Sequence, residues 1–430
     1  MLTASLSRSF CILGLTSGLC LTSSAQSSIG QVKTVFVIAM ENHNFQQINP
    51  TSTPQQLSNN PAAPYLNSLI TRGNSNALHV AYATHYYNAG AGVHPSEPSY
   101  IWAEGGTDFG IHTDNDPRDA HSNIFTNDHL TRQMNVAGIA WKSYQEDIQF
   151  SPSPTNSASG TAGSPNSFYG TGQYNYAVKH NPMAFYTDTQ TQNVYPLFQL
   201  FSDLTNHAVG QYNWITPNQY NDMHSALSGG FTYQGTYYTG DQAAVAQGDN
   251  FLSQIVPIIQ ASTAYKDHGL IILWWDESEI GDTAAYSIPE IIISPLARGN
   301  AYASSIELNH SSDLKTIEEL FGLPYLSNSI PASETSVSGG YNNVATVNNL
   351  NDLFLNLPML RPPAFTSTGT LQLEFSGQAT QTYQVLTTTN IATPIANWNT
   401  TASGTFGTTN VLFDTGKPTN SGQFFRIQSP

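Results

Sequence analysis

The chain has 430 residues, of which 10% are charged, and its formal net charge is -16. A nucleic-acid-binding protein normally concentrates lysine and arginine on one face, and 13 basic residues in a chain of this length argue against that class. The acidic balance also argues against simple adhesion to anionic lipid, and the length favours one large domain with a small second one.

The first 25 residues have the pattern of an export signal. Arg8 precedes an apolar stretch from Phe10 to Leu21, and small residues follow up to Ala25, after which we expect cleavage. Both cysteines, Cys11 and Cys20, lie inside this signal, so we expect no disulfide in the exported protein. No later segment has the roughly 18 uninterrupted apolar residues of a membrane helix. The sequence therefore predicts a secreted or periplasmic protein without stable membrane insertion.

Short apolar runs rich in Val, Ile, Trp and Phe recur between residues 31 and 360 and predict buried strands. The clearest are Thr34 to Met40, Gly138 to Lys142, Tyr212 to Thr216, Leu270 to Trp275 and Ile288 to Ser294. Helix-like stretches lie between them, for example at residues 250–264 and 312–320. This alternation predicts an α/β fold, a mostly parallel sheet sandwiched by helices.

Two segments depart from this alternation. Residues 151–180 are rich in Ser, Gly, Asn and Tyr, which predicts a surface loop. From Ala364 onward, short alternating runs separated by turn residues are typical of a small β-sandwich. We therefore predict three parts: a signal peptide over residues 1–25, a catalytic domain over 26–362 and an accessory β-sandwich over 365–430.

Polar clusters follow three of the predicted strands. They are Glu41 with Asn42, Asp222 with His224, and Asp276 with Glu277. Because the carboxyl ends of parallel strands meet at one edge of a sheet, clusters far apart in sequence can converge there. A carboxylate buried without a counter-charge costs several kcal/mol, and a bound metal ion would remove that cost. Taken alone, the Glu41 and the Asp276-Glu277 clusters are equally compatible with a solvated strand end, and a single histidine such as His224 is more often structural.

A serine in a proline-flanked motif is the candidate nucleophile. Ser96 stands in the run His94-Pro95-Ser96-Glu97-Pro98, at the start of a predicted helix that ends at Gly105-Gly106. A serine at a helix start presents its oxygen beside unpaired backbone amides, which favour an incoming anion. The motif alone fits an ordinary helix-capping serine better than a nucleophile.

The motifs in their order resemble those of the phosphoesterase family, which belongs to the alkaline phosphatase superfamily and contains bacterial phospholipases C and acid phosphatases. The matching stretches are Val37 to Phe45, His94 to Tyr100, Pro217-Asn218, Asn221 to His224, Ile271 to Glu277 and His310 to Leu323. An ordered set of motifs is far more specific than any one of them. One departure is Ser99, where the family usually has asparagine close to the bound phosphate.

The resemblance implies a role for each matched residue. It makes Ser96 the nucleophile, which forms a phosphoenzyme, and it has His224 and His310 hold the phosphoryl oxygens or a second metal. The ligands of one or two divalent metal ions would be Glu41, Asn42, Ser96, Asp276, Glu277 and Asp222. No other cofactor is implied.

The sequence thus predicts a secreted, metal-dependent hydrolase of phosphoric esters. Small phosphomonoesters are the favoured substrates, because no amphipathic helix suited to a lipid interface is evident. A phospholipase C-type phosphodiesterase is the first alternative. The second is a non-catalytic surface or carbohydrate-binding protein on the same scaffold, which the intact nucleophile and ligands disfavour.

Overall fold

The computed structural model describes residues 28–90, 92–114, 125–148, 176–190, 192–279, 281–329, 343–355, 359–360, 363–377, 381–407, 410–416 and 423–428. Contacts divide the chain into two units, one of residues 29–354 and the other of residues 355–430 together with those up to 28. The predicted export signal, both cysteines and residues 151–175 of the predicted loop lie outside the described residues.

The larger unit contains one large sheet. The strands of this unit are β1 (Thr34–Met40), β2 (Val80–Ala83), β3 (Tyr86–Tyr87), β4 (Trp141–Gln145), β5 (Val194–Pro196), β6 (Tyr212–Thr216), β7 (Phe231–Tyr233), β8 (Thr236–Tyr238), β9 (Gly269–Trp275), β10 (Glu290–Ile293), β11 (Tyr302–Ser304) and β12 (Leu308–Asn309). Eight of them form the sheet, in the order β11-β2-β10-β9-β1-β6-β4-β5. Neighbouring strands are parallel except at β10, which is antiparallel to β9 and to β2.

The central strands β1 and β9 are apolar and buried along almost their whole length. Helices cover both faces of the sheet here, so side chains on both sides of each strand are buried. These strands therefore show no alternation of polar and apolar residues. Their register pairs Met40 with Trp275, the last residue of each strand. The residues that follow β1 and β9 therefore leave the sheet side by side.

Helices flank this sheet. They are α1 (Pro64–Leu69), α2 (Ser96–Gly105), α3 (Leu130–Ala137), α4 (Leu197–Thr205), α5 (Asp241–Ala261), α6 (Thr263–Lys266) and α7 (His310–Phe321). The predicted α/β class, with a mostly parallel sheet between helices, is confirmed. Among the described residues, no helix combines the length and the apolar character needed to cross a membrane.

Several boundaries differ from the sequence-based prediction, and two of the differences have a clear local cause. The strand predicted from Gly138 begins only at Trp141, because Gly138 adopts a left-handed φ of 71° and ends α3. Helix α7 begins at His310 rather than Ser312, because Asn309 and Ser312 form a capping box around its first turn. This earlier start places His310 inside the helix.

The smaller unit contains two antiparallel sheets. Strands β13 (Met359–Leu360), β14 (Ala364–Phe365), β15 (Leu371–Ser376) and β18 (Val411–Asp414) form one, and β16 (Thr382–Thr388), β17 (Asn399–Thr405) and β19 (Phe424–Gln428) form the other. Side chains from both sheets share one apolar cluster around Phe375, Val385 and Phe406. This agrees with the small β-sandwich predicted for the C-terminal residues.

Candidate active site

The two acidic pairs meet at the carboxyl ends of β1 and β9. Glu41 and Asn42 follow β1, and Asp276 and Glu277 follow its parallel neighbour β9. Asn42 has a φ of 40°, in the left-handed region that asparagine tolerates, and its backbone N–H donates to Asp276 Oδ1 at 3.0 Å. The adjacent strand ends thus bring together two pairs of side chains that are distant in sequence, since Asn42 and Asp276 are 234 positions apart.

Ser96 is the first residue of α2 and faces this cluster. Its hydroxyl lies 3.0 Å from Glu41 Oε2, 3.0 Å from Glu277 Oε1 and 3.3 Å from Asn42 Oδ1. Gly106, with a left-handed φ of 69°, ends the helix as the sequence predicted. The structure therefore brings the predicted nucleophile within hydrogen-bonding distance of three predicted metal ligands. We call Glu41, Asn42, Ser96, Asp276 and Glu277 the oxygen cage.

The oxygen cage has the chemistry of a cation site. Asn42 Oδ1 lies 2.9 Å from Glu41 Oε2, 3.0 Å from Asp276 Oδ2 and 3.3 Å from Glu277 Oε1, all of them acceptors. Oxygens at these separations repel one another unless a positive charge sits among them. Turning the amide over would let its nitrogen donate to the same oxygens, as expected without a cation. The donor set of carboxylates, an amide and a hydroxyl fits a hard divalent ion.

The carboxyl groups of the oxygen cage are buried, which increases the cost of ionising them without a positive charge nearby. Burial raises the pKa of Glu41 well above its ordinary range, and the neighbouring charges of Asp276 and Asp222 raise it further. Burial, and then the charge of Glu277, likewise raise the pKa of Asp276. These carboxyl groups cannot all ionise together in a low-dielectric environment without a counter-charge. A bound divalent cation would supply that charge and lower each pKa.

His94 holds one side of the oxygen cage. Its Nδ1 contacts Glu277 Oε2, and its Nε2 lies 2.9 Å and 3.0 Å from the two oxygens of Asp282. Burial lowers the pKa of His94, but the hydrogen bonds with Asp282 and Glu277 outweigh it and raise the pKa to about 10. An imidazole held between two carboxylates fixes the orientation of the Glu277 carboxylate, the kind of support that metal ligands receive in known sites.

Two buried aromatic side chains support the other side. Tyr100, one helical turn after Ser96, donates to Glu41 Oε1 at 2.6 Å. The Tyr100 ring stacks on His180, with centroids 4.8 Å apart and an interplanar angle of 11°. The sequence did not predict a role in the site for Tyr100 or for His180. The four-residue spacing from Ser96 to Tyr100 is the available signal for Tyr100, because it places these two residues on one face of a helix. The composition of residues 151–180 predicts a surface loop, but His180 at the end of this segment is buried.

Asp222 also lies beside Glu41. The backbone N–H of Glu41 donates to the carbonyl of Asp222 at 2.8 Å, and β6, which precedes Asp222, is the sheet neighbour of β1. Asp222 Oδ1 accepts from the backbone N–H of His224 at 2.8 Å. The His224 imidazole is exposed and lies 2.9 Å from Ser225 Oγ. Among the described residues, its hydrogen bonds do not reach the oxygen cage.

His310 lies behind the oxygen cage rather than inside it. Its Nε2 donates to the carbonyl of Trp275 at 3.0 Å, and its ring packs 4.8 Å from that of Trp274. Burial lowers its pKa to about 4, so the imidazole is neutral over most of the pH range. The structure therefore shows His310 supporting the end of β9, while its predicted contact with a phosphoryl group stays a prediction.

Comparison with known proteins identifies the family. The sequence profile of the phosphoesterase family matches residues 65–324, more than half of the chain. The chain belongs to the phosphoesterase family. It is a hydrolase of phosphoric esters, and the resemblance seen in its motifs is confirmed.

Individual relatives of this phosphoesterase are distant. Phosphatidylinositol-3-phosphatase of Mycobacterium tuberculosis is 25% identical over 279 residues, which cover 64% of this chain and 76% of that protein. A phosphate-repressible acid phosphatase of Penicillium chrysogenum is 29% identical over 54% of this chain, which spans half (50%) of that protein's length. A solved structure from Vibrio parahaemolyticus, described as a protein in the alkaline phosphatase superfamily, is 12% identical with a TM-score of 0.42, covering 83% of this chain and 78% of that one.

Tyr100 offers a test of how the phosphoesterase site is held. Tyr100→Phe removes the hydrogen bond to Glu41, and a bond to a charged group contributes about 1.5–3 kcal/mol. We expect a loss of roughly tenfold or more in metal affinity, measured by isothermal titration calorimetry. Tyr144→Phe is the matched control, because Tyr144 is equally buried and donates to Asp203 at 2.7 Å, away from the oxygen cage. Equal metal affinity in both variants would contradict a role for Tyr100.

Proposed function

We propose that this phosphoesterase is a secreted, divalent-metal-dependent phosphomonoesterase that acts through a phosphoserine formed on Ser96. The observation that carries the proposal is the position of the Ser96 hydroxyl, at 3.0–3.3 Å from three cage oxygens. A serine held only as a helix cap has no need of such neighbours. A nucleophile that is activated by a metal ion requires them.

The residues have distinct roles in this proposal. Glu41, Asn42, Asp276 and Glu277 would hold the cation against Ser96. When bound, the cation lowers the pKa of the serine hydroxyl and polarises the phosphoryl group. The Ser96 hydroxyl gives its proton to water, its Oγ attacks phosphorus in line, and the bond from phosphorus to the ester oxygen breaks as that oxygen takes a proton from water. Water later hydrolyses the phosphoserine, which releases inorganic phosphate and restores the serine hydroxyl.

The two predicted histidines differ in how well their positions suit phosphoryl binding. His224 presents an exposed imidazole next to Asp222 and can turn toward a bound substrate. His310 is buried against β9, where it fixes the strand end that carries Asp276. We retain His224 as a proposed phosphoryl ligand and assign His310 mainly to positioning. We also assign catalysis to residues 26–362 and none to residues 365–430.

Substrate class and metal dependence can be tested together. We expect the purified enzyme to hydrolyse p-nitrophenyl phosphate at least tenfold faster than bis-p-nitrophenyl phosphate, with release of nitrophenol as the measurement. EDTA should abolish both activities, and added divalent metal should restore them. Phosphatidylinositol 3-phosphate and phosphatidylcholine in mixed micelles provide a lipid monoester and a lipid diester. Faster cleavage of the diesters would favour the phospholipase C alternative, and insensitivity to EDTA would contradict metal dependence.

A further inference from the structure

A second group of buried acceptors lies on the side of Glu41 away from Ser96. Glu41, His180 and Asp222 are 0%, 1% and 0% exposed. His180 Nδ1 is 3.4 Å from Glu41 Oε1 and 3.9 Å from Asp222 Oδ2. Neither ring nitrogen of His180, nor Asp222 Oδ2, has a hydrogen-bond partner among the described residues. Buried polar atoms without hydrogen-bond partners need an explanation, and two of these, His180 Nδ1 and Asp222 Oδ2, face each other.

An ordinary ion pair does not explain this geometry. A protonated imidazole that donates to a carboxylate lies about 2.7–2.9 Å from it, shorter than either contact of His180 Nδ1. A pair buried without such hydrogen bonds does not recover the cost of desolvation. The stack on Tyr100 holds the ring plane, so a turn of the imidazole toward either carboxylate would disturb that contact.

The 3.4 Å spacing between His180 Nδ1 and Glu41 Oε1 matches coordination of a metal ion, and the 3.9 Å spacing to Asp222 Oδ2 is somewhat longer. Two ligand atoms that are each about 2.1 Å from a tetrahedral metal are about 3.4 Å apart. The three ligand atoms all lie within 4.8 Å of one another, so one ion can reach each of them after small adjustments. Glu41 Oε1 accepts a hydrogen bond from Tyr100, and a carboxylate oxygen has a second lone pair to offer.

We propose that Glu41, His180 and Asp222 bind a second divalent cation, with Glu41 bridging it to the cation of the oxygen cage. Glu41 Oε2 faces Ser96, whereas Glu41 Oε1 faces His180. Paired metal ions that share ligands lie about 3.5–4 Å apart. The imidazole makes this position favour a softer ion such as Zn²⁺, in contrast to the all-oxygen cage. The inference rests on the proposed function for the cation of the oxygen cage, whereas the second cation is argued from the geometry of Glu41, His180 and Asp222.

The number of bound metal ions tests the proposal. The full chain is dialysed to equilibrium against Zn²⁺ alone, and bound zinc is counted by elemental mass spectrometry. We expect two ions per wild-type chain and one ion in His180→Gln and in Asp222→Asn. His207→Gln is the control, because His207 is exposed and should leave two ions bound. Thermal unfolding of each variant checks that it is folded.

Each other outcome has a definite meaning. One ion in the wild type, lost in Asp276→Asn but kept in His180→Gln, overturns this inference and leaves the proposed function standing. No ion in the wild type overturns the metal dependence in the proposed function as well. Two ions retained in His180→Gln, with weaker inhibition by inorganic phosphate, would make His180 a phosphate ligand and overturn the second cation. Because the wild-type count alone is informative, misfolding of a variant does not remove the test.

A spectroscopic measurement on the wild type gives an independent check. Replacing zinc by Co²⁺ should give visible absorption in two steps as the two positions fill. Magnetic resonance of the cobalt-loaded protein should show a shifted imidazole N–H proton that is absent in His180→Gln, since His180 is the only histidine in the proposed ligand set. Filling in a single step without a shifted imidazole signal would contradict the second site.

Discussion

Ser96→Ala is expected to reduce kcat for p-nitrophenyl phosphate by about four to six orders of magnitude, the range seen when a nucleophile is removed. No other hydroxyl among the described residues lies within hydrogen-bonding distance of Glu41 Oε2 and Glu277 Oε1 together. The fold should change little, because the substitution removes one side-chain hydroxyl and alanine is tolerated at the start of a helix. Circular dichroism and thermal unfolding measure this.

A control variant and a direct search for the phosphoserine make the test of Ser96 more specific. Ser143→Ala is the matched control, because Ser143 is also fully buried but lies in β4 and bonds with Asn181. It should keep near-wild-type turnover. Acid quenching during turnover, followed by mass spectrometry, should find one added phosphoryl group on the peptide that contains Ser96 in the wild type. Near-wild-type hydrolysis by Ser96→Ala would defeat the assignment of the nucleophile.

The strands that carry the oxygen cage could be predicted from the sequence because they are buried on both faces. Such strands read as uninterrupted apolar runs, and the first charged residue after each run marks where the strand leaves the core. Glu41 and Asp276 can therefore be predicted from the sequence. Gly138 misled the strand prediction, because its helix-ending role depends on the left-handed φ that only the structure reveals.

Site residues that do not follow a strand are harder to predict from the sequence. His180 follows a long segment rich in Ser and Gly, and no local periodicity distinguishes it from a surface residue. Only the folded chain brings it against Tyr100 and Glu41. For His310 the sequence predicts the residue but not the direction of its side chain. Its motif was recognised, but the direction of its imidazole depends on a hydrogen bond to Trp275 that sequence cannot supply.

Asp276→Asn is expected to change stability in opposite directions with and without metal. In the metal-free protein, the change removes one of several buried carboxyl groups whose charges oppose one another, since burial and Glu277 raise the pKa of Asp276. The variant should then unfold at a higher temperature than the wild type. With metal present, the wild type gains the binding free energy, about 2.7 kcal/mol at a metal concentration 100-fold above Kd. The order of stability should therefore reverse.

The reversal separates a metal ligand from a structural carboxylate. Asp249 is also buried, but its oxygens accept from the backbone N–H groups of Tyr65 and Leu66 at 2.8 Å and 2.7 Å. Asp249→Asn should therefore destabilise the protein by about the same amount with and without metal, because it weakens a helix cap. Differential scanning calorimetry with EDTA and with added metal measures both variants. If Asp276→Asn also shifts the melting temperature equally in both conditions, Asp276 acts as a structural residue, because a lost ligand must remove metal-dependent stabilisation.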